Sequence, residues 1–327
     1  MTTGITAIGC FVPTRVVTNE ELTETVDTSD EWIVSHTGIR ERRIVAEGQA
    51  ASDLAVEAAN IALQRRGITA DDIDMIIVAT SSGDYPFPAT ACIVQHRLGC
   101  TRAAAFDLAA GCTGFVYAFE TARAFIESGG AERILVIGSE VLTSVTNWLD
   151  RNTCVLFGDG AGAVVIESLD GLAGHRIVRS WLRSDGSGEL ALMRAVGGSR
   201  MPFDSSRHGP ADMQIQMDGR KVYLFAVDAI VRTVQQLCEQ QGIEPADLAW
   251  IVPHQANLRI IEAAAKRLRL PIERFYCNMD RYANTSAASI PLALDEMIER
   301  GLPREGQWVL TVGFGAGLTY GGNLIAW

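Results

Sequence analysis

Residues 67–77, GITADDIDMII, recur in altered form 175 positions later as GIEPADLAWIV at 242–252, with the glycine, the isoleucine and Asp72/Asp247 in register. The same offset relates the helix-like DLAVEAANIALQRR from Asp53 to DAIVRTVQQLCEQQ from Asp228, and ILVIGS at 134–139 to VLTVGF at 309–314. Equal offsets at separated places predict an internal duplication, so the chain must fold as two copies of one plan. Each half reads amphipathic helix, glycine stop, apolar strand, loop, helix, apolar strand. Short apolar strands between long helices predict mixed parallel sheets with helices packed on them. Neither half can cover its sheet alone, which predicts a layered α/β body built from residues 1–170 and 171–327, divided near LDGLAGH. The stretch 183–220 is rich in Gly, Ser and Asp and reads as an excursion over the surface, where lids and substrate contacts lie.

Composition narrows the function. With 48% apolar and 20% charged residues the chain is of globular type, and its formal net charge of −11 argues against nucleic-acid binding, which needs a basic surface. No apolar run is long enough to span a bilayer, and MTTGITAIGCFVPTR lacks the layout of a signal peptide. The seven cysteines (10, 92, 100, 112, 154, 238, 277) are odd in number, scattered and without a C-x-x-C pair. They predict reduced thiols in a cytoplasmic protein, with no disulfide framework and no metal site.

Cys112 stands in AAGCTGF at 109–115, a run of small residues leading into VYAFE. A loop that becomes a buried helix here leaves room for a carbonyl to approach the sulfur. The helix start, with unpaired N–H groups and a positive dipole end, favours the thiolate. A buried cysteine is otherwise an inert small hydrophobe, so partners decide. The duplication shows where to look for them. His254, in WIVPHQANLR at 250–259, matches the strand end at Ala79-Thr80 of the first half and precedes a helix. That exit beside Pro and Gln suits a catalytic histidine better than the polar contexts of His36, His96, His175 and His208. Asn284, in MDRYANTSAAS at 279–289, falls at a loop-to-helix junction nearly equivalent to that of Cys112, with Asp107 and Asp280 in like positions. Alone it reads as a helix cap; paired through the duplication it faces the same cavity. GFGAG at 313–317 can bring backbone N–H groups to a carbonyl oxygen, as an oxyanion hole requires. GDGAGA at 158–163 fits the loose dinucleotide fingerprint, but the strand-like VVIE follows it, which argues against nicotinamide or flavin.

TSDEWI at 28–33, TGIRER at 37–42, the AAGC loop, FGDGAG at 157–162, PHQANLR at 253–259 and NTSAAS at 284–289 together resemble the thiolase-fold condensing enzymes. Within that fold the chain resembles the β-ketoacyl-acyl carrier protein synthase III family along essentially its whole length. The resemblance implies a thiolase-like α/β fold whose two halves form an αβαβα body, with the nucleophile in the first half and His and Asn in the second. It implies the initiating condensation of type II fatty-acid synthesis. An acyl-CoA, with acetyl-CoA as the expected primer, acylates Cys112, and malonyl-acyl carrier protein then condenses with loss of carbon dioxide. Coenzyme A is there a substrate, and no cofactor is implied.

By the same resemblance Cys112, His254 and Asn284 are catalytic, and the backbone N–H groups of Cys112 and Ala316 form the oxyanion hole. Trp32, His36, Arg151 and Asn257 meet coenzyme A, and Leu142 and Phe157 line the acyl pocket. Phe87 crosses a homodimer interface to cap the neighbour's pocket; read without the resemblance it is a core phenylalanine. Gln255, Ala256, Asn257, Leu258, Arg259, Lys266 and Arg267 receive the acidic carrier protein. Three positions depart from the family pattern. His36 stands for an arginine, Ala283 for a glycine, and Leu224 for a lysine that some members carry, leaving Arg220 and Lys221 as substitutes. Two other readings stay open: a starter-loading or acyl-transfer enzyme of secondary metabolism, and a non-catalytic partner subunit. The retained Cys, His and Asn argue against the second.

Overall fold

The computed structural model describes residues 2–327. Strand β1 (Thr3–Phe11) leads into a flap of β2 (Arg15–Thr18) and β3 (Glu41–Ile44), which brackets helices α1 (Asn19–Thr23) and α2 (Asp30–Thr37). The first half continues through α3 (Ala51–Arg66), β4 (Met75–Ala79), α4 (Thr90–Leu98), β5 (Ala104–Leu108), α5 (Gly114–Glu127), β6 (Arg133–Val141), α6 (Arg151–Cys154) and β7 (Asp159–Ser168). The second half opens with β8 (His175–Ser184) and a two-stranded ribbon, β9 (Leu192–Met193) with β10 (Gln216–Met217). It continues through α7 (Gly219–Gln241), β11 (Leu248–Pro253), α8 (Leu258–Leu268), α9 (Met279–Tyr282), α10 (Ser289–Glu299), β12 (Trp308–Gly315) and β13 (Thr319–Ala326).

The residues that keep register between the halves do the same physical work in each. Gly67 and Gly242 end α3 and α7 in the left-handed conformation, at φ +73° and +74°, where a side chain would be strained. Asp72 and Asp247 then cap the turn before each apolar strand, accepting from the backbone of Thr69 at 2.8 Å and Glu244 at 2.9 Å.

Nine strands join in the order β11-β12-β13-β8-β1-β7-β6-β4-β5. The pairs β4/β5, β4/β6 and β11/β12 are parallel and the rest antiparallel. The two half-sheets meet only where Gly4 and Ile5 pair with Arg176 and His175. Side-chain alternation resolves the layers. Met75, Ile77 and Ala79 of β4 pack with Phe115 and Phe119 of α5 and Leu294 and Met297 of α10. Ile76 and Val78, pointing the other way, pack with α3 and α4. Strands β11 to β13 send Val252, Val309 and Ile325 into the same central layer and Ile251, Leu310 and Leu324 towards α7 and α8. The result is an αβαβα stack with α5 and α10 in the middle. A helix long and apolar enough to cross a membrane is absent among the described residues.

The shared glycine of ILVIGS and VLTVGF marks where the halves touch most closely. A Cβ on Gly138 would lie 2.3 Å from the Ala287 carbonyl oxygen; one on Gly313 would lie 3.0 Å from Thr113 Cγ2. Each glycine thus seats the other half's turn, Ser286–Ala288 before α10 or Gly111–Thr113 before α5. Gly138→Ala is therefore expected to destabilise the protein by about 1–3 kcal/mol, the usual cost of forced overpacking. It should also lower turnover, because the displaced turn carries the site below. Thermal unfolding and a condensation assay check this, and an unchanged midpoint would refute it.

Candidate active site

Cys112 lies in the Gly111–Thr113 turn, and Gly315 and Ala316 approach that turn from the end of β12. A Cβ on Gly315 would sit 2.8 Å from the Cys112 backbone N, and one on Gly111 would sit 3.1 Å from the Ala316 N. Thr319 and Thr113 knot the two segments together. Thr113 donates to the Thr319 carbonyl at 3.0 Å, and Thr319 Oγ1 lies 3.0 Å from Thr113 Oγ1 and from the carbonyl oxygens of Ala110 and Ala316. The backbone N–H groups expected to form an oxyanion hole are thereby brought to neighbouring positions.

Burial pushes the Cys112 thiol up to about 12, the opposite of the thiolate expected from the helix start. Loss of water around the sulfur outweighs the partial charge of one helix end, so the resting group is a thiol. Beneath it Glu140, wholly buried, accepts from Ser82 Oγ at 2.5 Å, the Ser81 N–H at 3.0 Å and Thr80 Oγ1 at 3.3 Å.

His254 follows β11, its backbone N–H held by the Val312 carbonyl at 2.7 Å. Its ring is 1% exposed, stands edge-on to Phe314 at 4.9 Å between centroids, and has Nδ1 2.8 Å from Ser289 Oγ. Burial lowers its pKa to about 3, so the ring is neutral at physiological pH.

Asn284 is clamped on both sides. Its N–H donates to the Leu156 carbonyl at 2.9 Å, and its own carbonyl accepts from Gly158 at 3.0 Å. Its Oδ1 accepts from the Ser286 N–H at 2.9 Å, an orientation that leaves the amide NH2 as the free end. Asn284 thus does not act as the cap of α10. Ala283 has φ +57° and is buried, so its backbone is strained while the clamps keep Asn284 in place.

Cys112, His254 and Asn284 line one cavity together with Ala256, Asn257, Phe314 and Gly315. A second, mostly apolar cavity of about 220 Å3 opens beside Cys112, walled by Leu142, Val145, Phe157, Leu192, Met193, Ile215 and Ala316, with Ser81, Arg194 and Ser286 as its polar contributors. Leu142 and Phe157, the two residues that the resemblance puts at an acyl pocket, both line this cavity. Val145, Leu192, Met193, Arg194 and Ile215 were missed as individual residues. The only signal for the last four was the irregular 183–220 excursion, which folds back as the β9–β10 ribbon.

Trp32 on α2 is held between two groups: the His36 ring stacks on it at 4.4 Å and 18°, and Arg151 Cζ lies 3.8 Å from its ring centroid. Arg151 is thus neither solvated nor apart from Trp32, and His36 turns to the indole instead of standing free. Asn257 caps α8 by accepting from the Arg259 N–H at 2.9 Å. Arg259, Lys266 and Arg267 are exposed on α8, although Arg259 Nε also holds the Ser35 carbonyl at 3.1 Å and Arg267 pairs with Asp228 at 3.3 Å. Ala256 and Leu258 are half-buried.

One expectation needs correction. Gln255 does not belong to a carrier-facing surface: it is 1% exposed, and its Oε1 accepts from the backbones of Asn278 at 2.8 Å and Met279 at 2.9 Å. Its amide is consumed in tying α9 to the exit of β11. Phe87, expected at a dimer interface, is 86% exposed beside Tyr85, which is 63% exposed.

A family model for the C-terminal part of 3-oxoacyl-[acyl-carrier-protein] synthase III matches residues 238–327, and one for 3-oxoacyl-[acyl-carrier-protein] synthase III matches residues 106–186. Beta-ketoacyl-[acyl-carrier-protein] synthase III of Caldanaerobacter subterraneus subsp. tengcongensis is 48% identical, over 99% of this chain and 97% of that protein. The protein of the same description from Clostridium acetobutylicum is 47% identical, over 99% and 98%. Among solved structures, 3-oxoacyl-[acyl-carrier-protein] synthase III from Aquifex aeolicus VF5 superposes with a TM-score of 0.91 at 40% identity, covering 99% of this chain and 100% of that one. The priming beta-ketosynthase from the R1128 polyketide biosynthetic pathway does so with a TM-score of 0.90 at 35% identity, covering 99% and 96%. The fold, the site and these matches run the length of the molecule, and the chain belongs to the beta-ketoacyl-[acyl-carrier-protein] synthase III family, the acyltransferases that carry out the initiating condensation of fatty-acid synthesis.

Proposed function

We propose that the condensation runs as two half-reactions on Cys112, with an acyl-CoA as the first substrate and malonyl-acyl carrier protein as the second. The observation that carries this reading is the shared cavity: Cys112 of the first half lines it with His254 and Asn284 of the second. We take residues 1–170 and 171–327 as the units that contribute these groups. In the first half-reaction Cys112 Sγ attacks the thioester carbon while the oxyanion accepts from the N–H groups of Cys112 and Ala316. Coenzyme A leaves as the thiol with the proton that Cys112 gives up, and neutral His254 is placed to relay it. In the second, the malonyl thioester oxygen accepts from His254 and Asn284 as carbon dioxide departs. The resulting carbanion attacks the acyl-cysteine, and the Cys112 thiolate leaves and is protonated from water.

The apolar cavity beside Cys112 suits a short acyl chain, with acetyl as the first expectation. The exposed Tyr85 and Phe87 favour a homodimer in which the Phe87 of each copy reaches the other's pocket. Exposed Arg220, Lys221, Arg259, Lys266 and Arg267 supply a basic surface for an acidic carrier protein on an acidic chain. Seven unpaired thiols favour a reducing, cytoplasmic setting. Starter loading in secondary metabolism is the second reading, favoured by the likeness to a polyketide priming ketosynthase.

Intact-protein mass spectrometry after incubation with acetyl-, isobutyryl- and hexanoyl-CoA tests the first half-reaction. An acyl adduct is expected on the wild type and none on Cys112→Ser; the best acyl group names the primer class, and no adduct at all refutes the coenzyme A step. For the second half-reaction, His254→Ala and Asn284→Ala should each slow malonyl decarboxylation about 10²–10³-fold, the effect of losing one aimed donor. Asn284→Asp should be as damaging as Asn284→Ala, because its free oxygen accepts where the amide donated. An active Asn284→Asp would overturn the assigned orientation. We also expect the adenine of coenzyme A to part Arg151 from Trp32. Trp32→Ala should then raise KM for acyl-CoA roughly three- to thirtyfold with kcat little changed, as the loss of one stacked face predicts; an unchanged KM would remove Trp32 from the site.

A further inference from the structure

The two side chains that meet the thioester oxygen in this reading are held in different ways. The Ser286 N–H occupies Asn284 Oδ1 at 2.9 Å, so the amide nitrogen, a donor only, is the end left for the cavity. His254 is held less singly, its ring facing both the Ser289 hydroxyl and the Ser286 backbone. Its Nδ1 lies 2.8 Å from Ser289 Oγ, and the same hydroxyl lies 2.8 Å from the Ser286 carbonyl oxygen. One hydroxyl hydrogen serves two acceptors. While that hydrogen rests on Ser286 O, Ser289 Oγ can only accept, so Nδ1 carries the ring proton and Nε2 is a bare lone pair. When the hydrogen turns to Nδ1, Nε2 carries the proton and becomes a donor. The first arrangement suits relay of the Cys112 proton; the second is the one decarboxylation requires.

We propose that Ser289 is a positioning residue that sets the tautomer of His254, turning its hydroxyl from Ser286 O to His254 Nδ1 to make Nε2–H available to the malonyl thioester oxygen. The inference rests on the two-donor reading of the site. The Nδ1–H form keeps two hydrogen bonds, Nδ1–H to Ser289 Oγ and the hydroxyl to Ser286 O, and the Nε2–H form keeps one, so the bond that Nε2–H makes to the thioester oxygen offsets the one given up. Their interconversion releases one proton from Nδ1 to water and takes one from water at Nε2, with no net uptake. Ser289 is 3% exposed, as its place behind the ring requires, and Ser286 holds φ +47°, the left-handed backbone of the turn that presents its carbonyl to Ser289. Without the hydroxyl, Nδ1 has only a carbonyl in front of it, and the ring is locked with its proton on Nδ1.

The test separates the half-reactions. Acylation of Cys112 by acyl-CoA is followed by intact mass, and carbon dioxide release from malonyl-carrier protein is followed without primer. Ser289→Ala should lower carbon dioxide release about 10²-fold, as for one lost donor, and leave acylation near the wild-type rate. Ser289→Thr, which keeps the hydroxyl, should retain both. Nitrogen-15 NMR of the imidazole should report Nδ1–H in the resting wild type and Nε2–H once a non-decarboxylating malonyl-thioester analogue is bound, and only Nδ1–H in Ser289→Ala in either state. Equal loss of both half-reactions, loss of neither, equal damage from Ser289→Thr, or an Nε2–H ring in Ser289→Ala overturns the proposal. His254→Ala distinguishes the two levels. If it releases carbon dioxide normally, the two-donor reading itself fails; if it is inactive while Ser289→Ala is not, only the role of Ser289 falls.

Discussion

The contact on which the rest depends is the seating of each half's turn on the other half's glycine. Gly138 carries the turn at Ser286–Ala288, and Gly313 carries the turn at Gly111–Thr113. Strand and turn approach so closely there that a methyl group on Gly138 would collide with the opposite half and one on Gly313 would press tightly against it. That closeness sets the spacing between α5 and α10 in the central layer and places their N-terminal turns side by side. The site lies at this meeting point because a duplicated plan presents two loop-to-helix junctions at one place. One junction carries Cys112 and the other Asn284.

Burial governs the electrostatics of the site more than the helix ends do. It raises the Cys112 thiol and lowers the His254 imidazolium, so both groups rest uncharged. A site of neutral groups can still stabilise developing charge if its donors are already aimed. The aiming here is done by groups with no chemical step of their own: Ser286 N–H for Asn284, the Thr113–Thr319 pair for the backbone around Cys112 and Ala316, and Ser289 for His254. The buried Glu140 network serves the same end from below, holding Ser81 at the cavity wall.

Much of the fold was legible in the sequence, because the features that repeat are those local physics enforces. A glycine that must be left-handed, an aspartate that caps a turn and an apolar run that must be covered on both faces all leave their mark at a fixed offset. The meeting of Cys112, His254 and Asn284 at one cavity was legible for a related reason: they sit at strand or loop ends that the duplication itself locates, and family motifs surround them. Less was visible where a residue's role depends on a distant segment. Gln255 sits inside a motif, yet its amide is used up by Asn278 and Met279, which no local pattern announces. Phe87 is exposed in this chain, where a phenylalanine read without the resemblance would be buried.

The sequence by itself determined the two-fold plan, the strand and helix order, and which three residues are proposed as nucleophile and partners, since these follow from periodicity, caps and short motifs. Only the tertiary structure decided how those partners are oriented and what surrounds them. It made Asn284 a donor by committing its oxygen to Ser286, put Ser289 behind His254, stacked His36 and Arg151 on the two faces of Trp32, and folded the 192–194 and 215 segments into the wall of the acyl cavity. Each of these is a contact between groups remote in the chain or a choice of which atom faces inward, and such choices are set by packing in three dimensions rather than by neighbours in sequence.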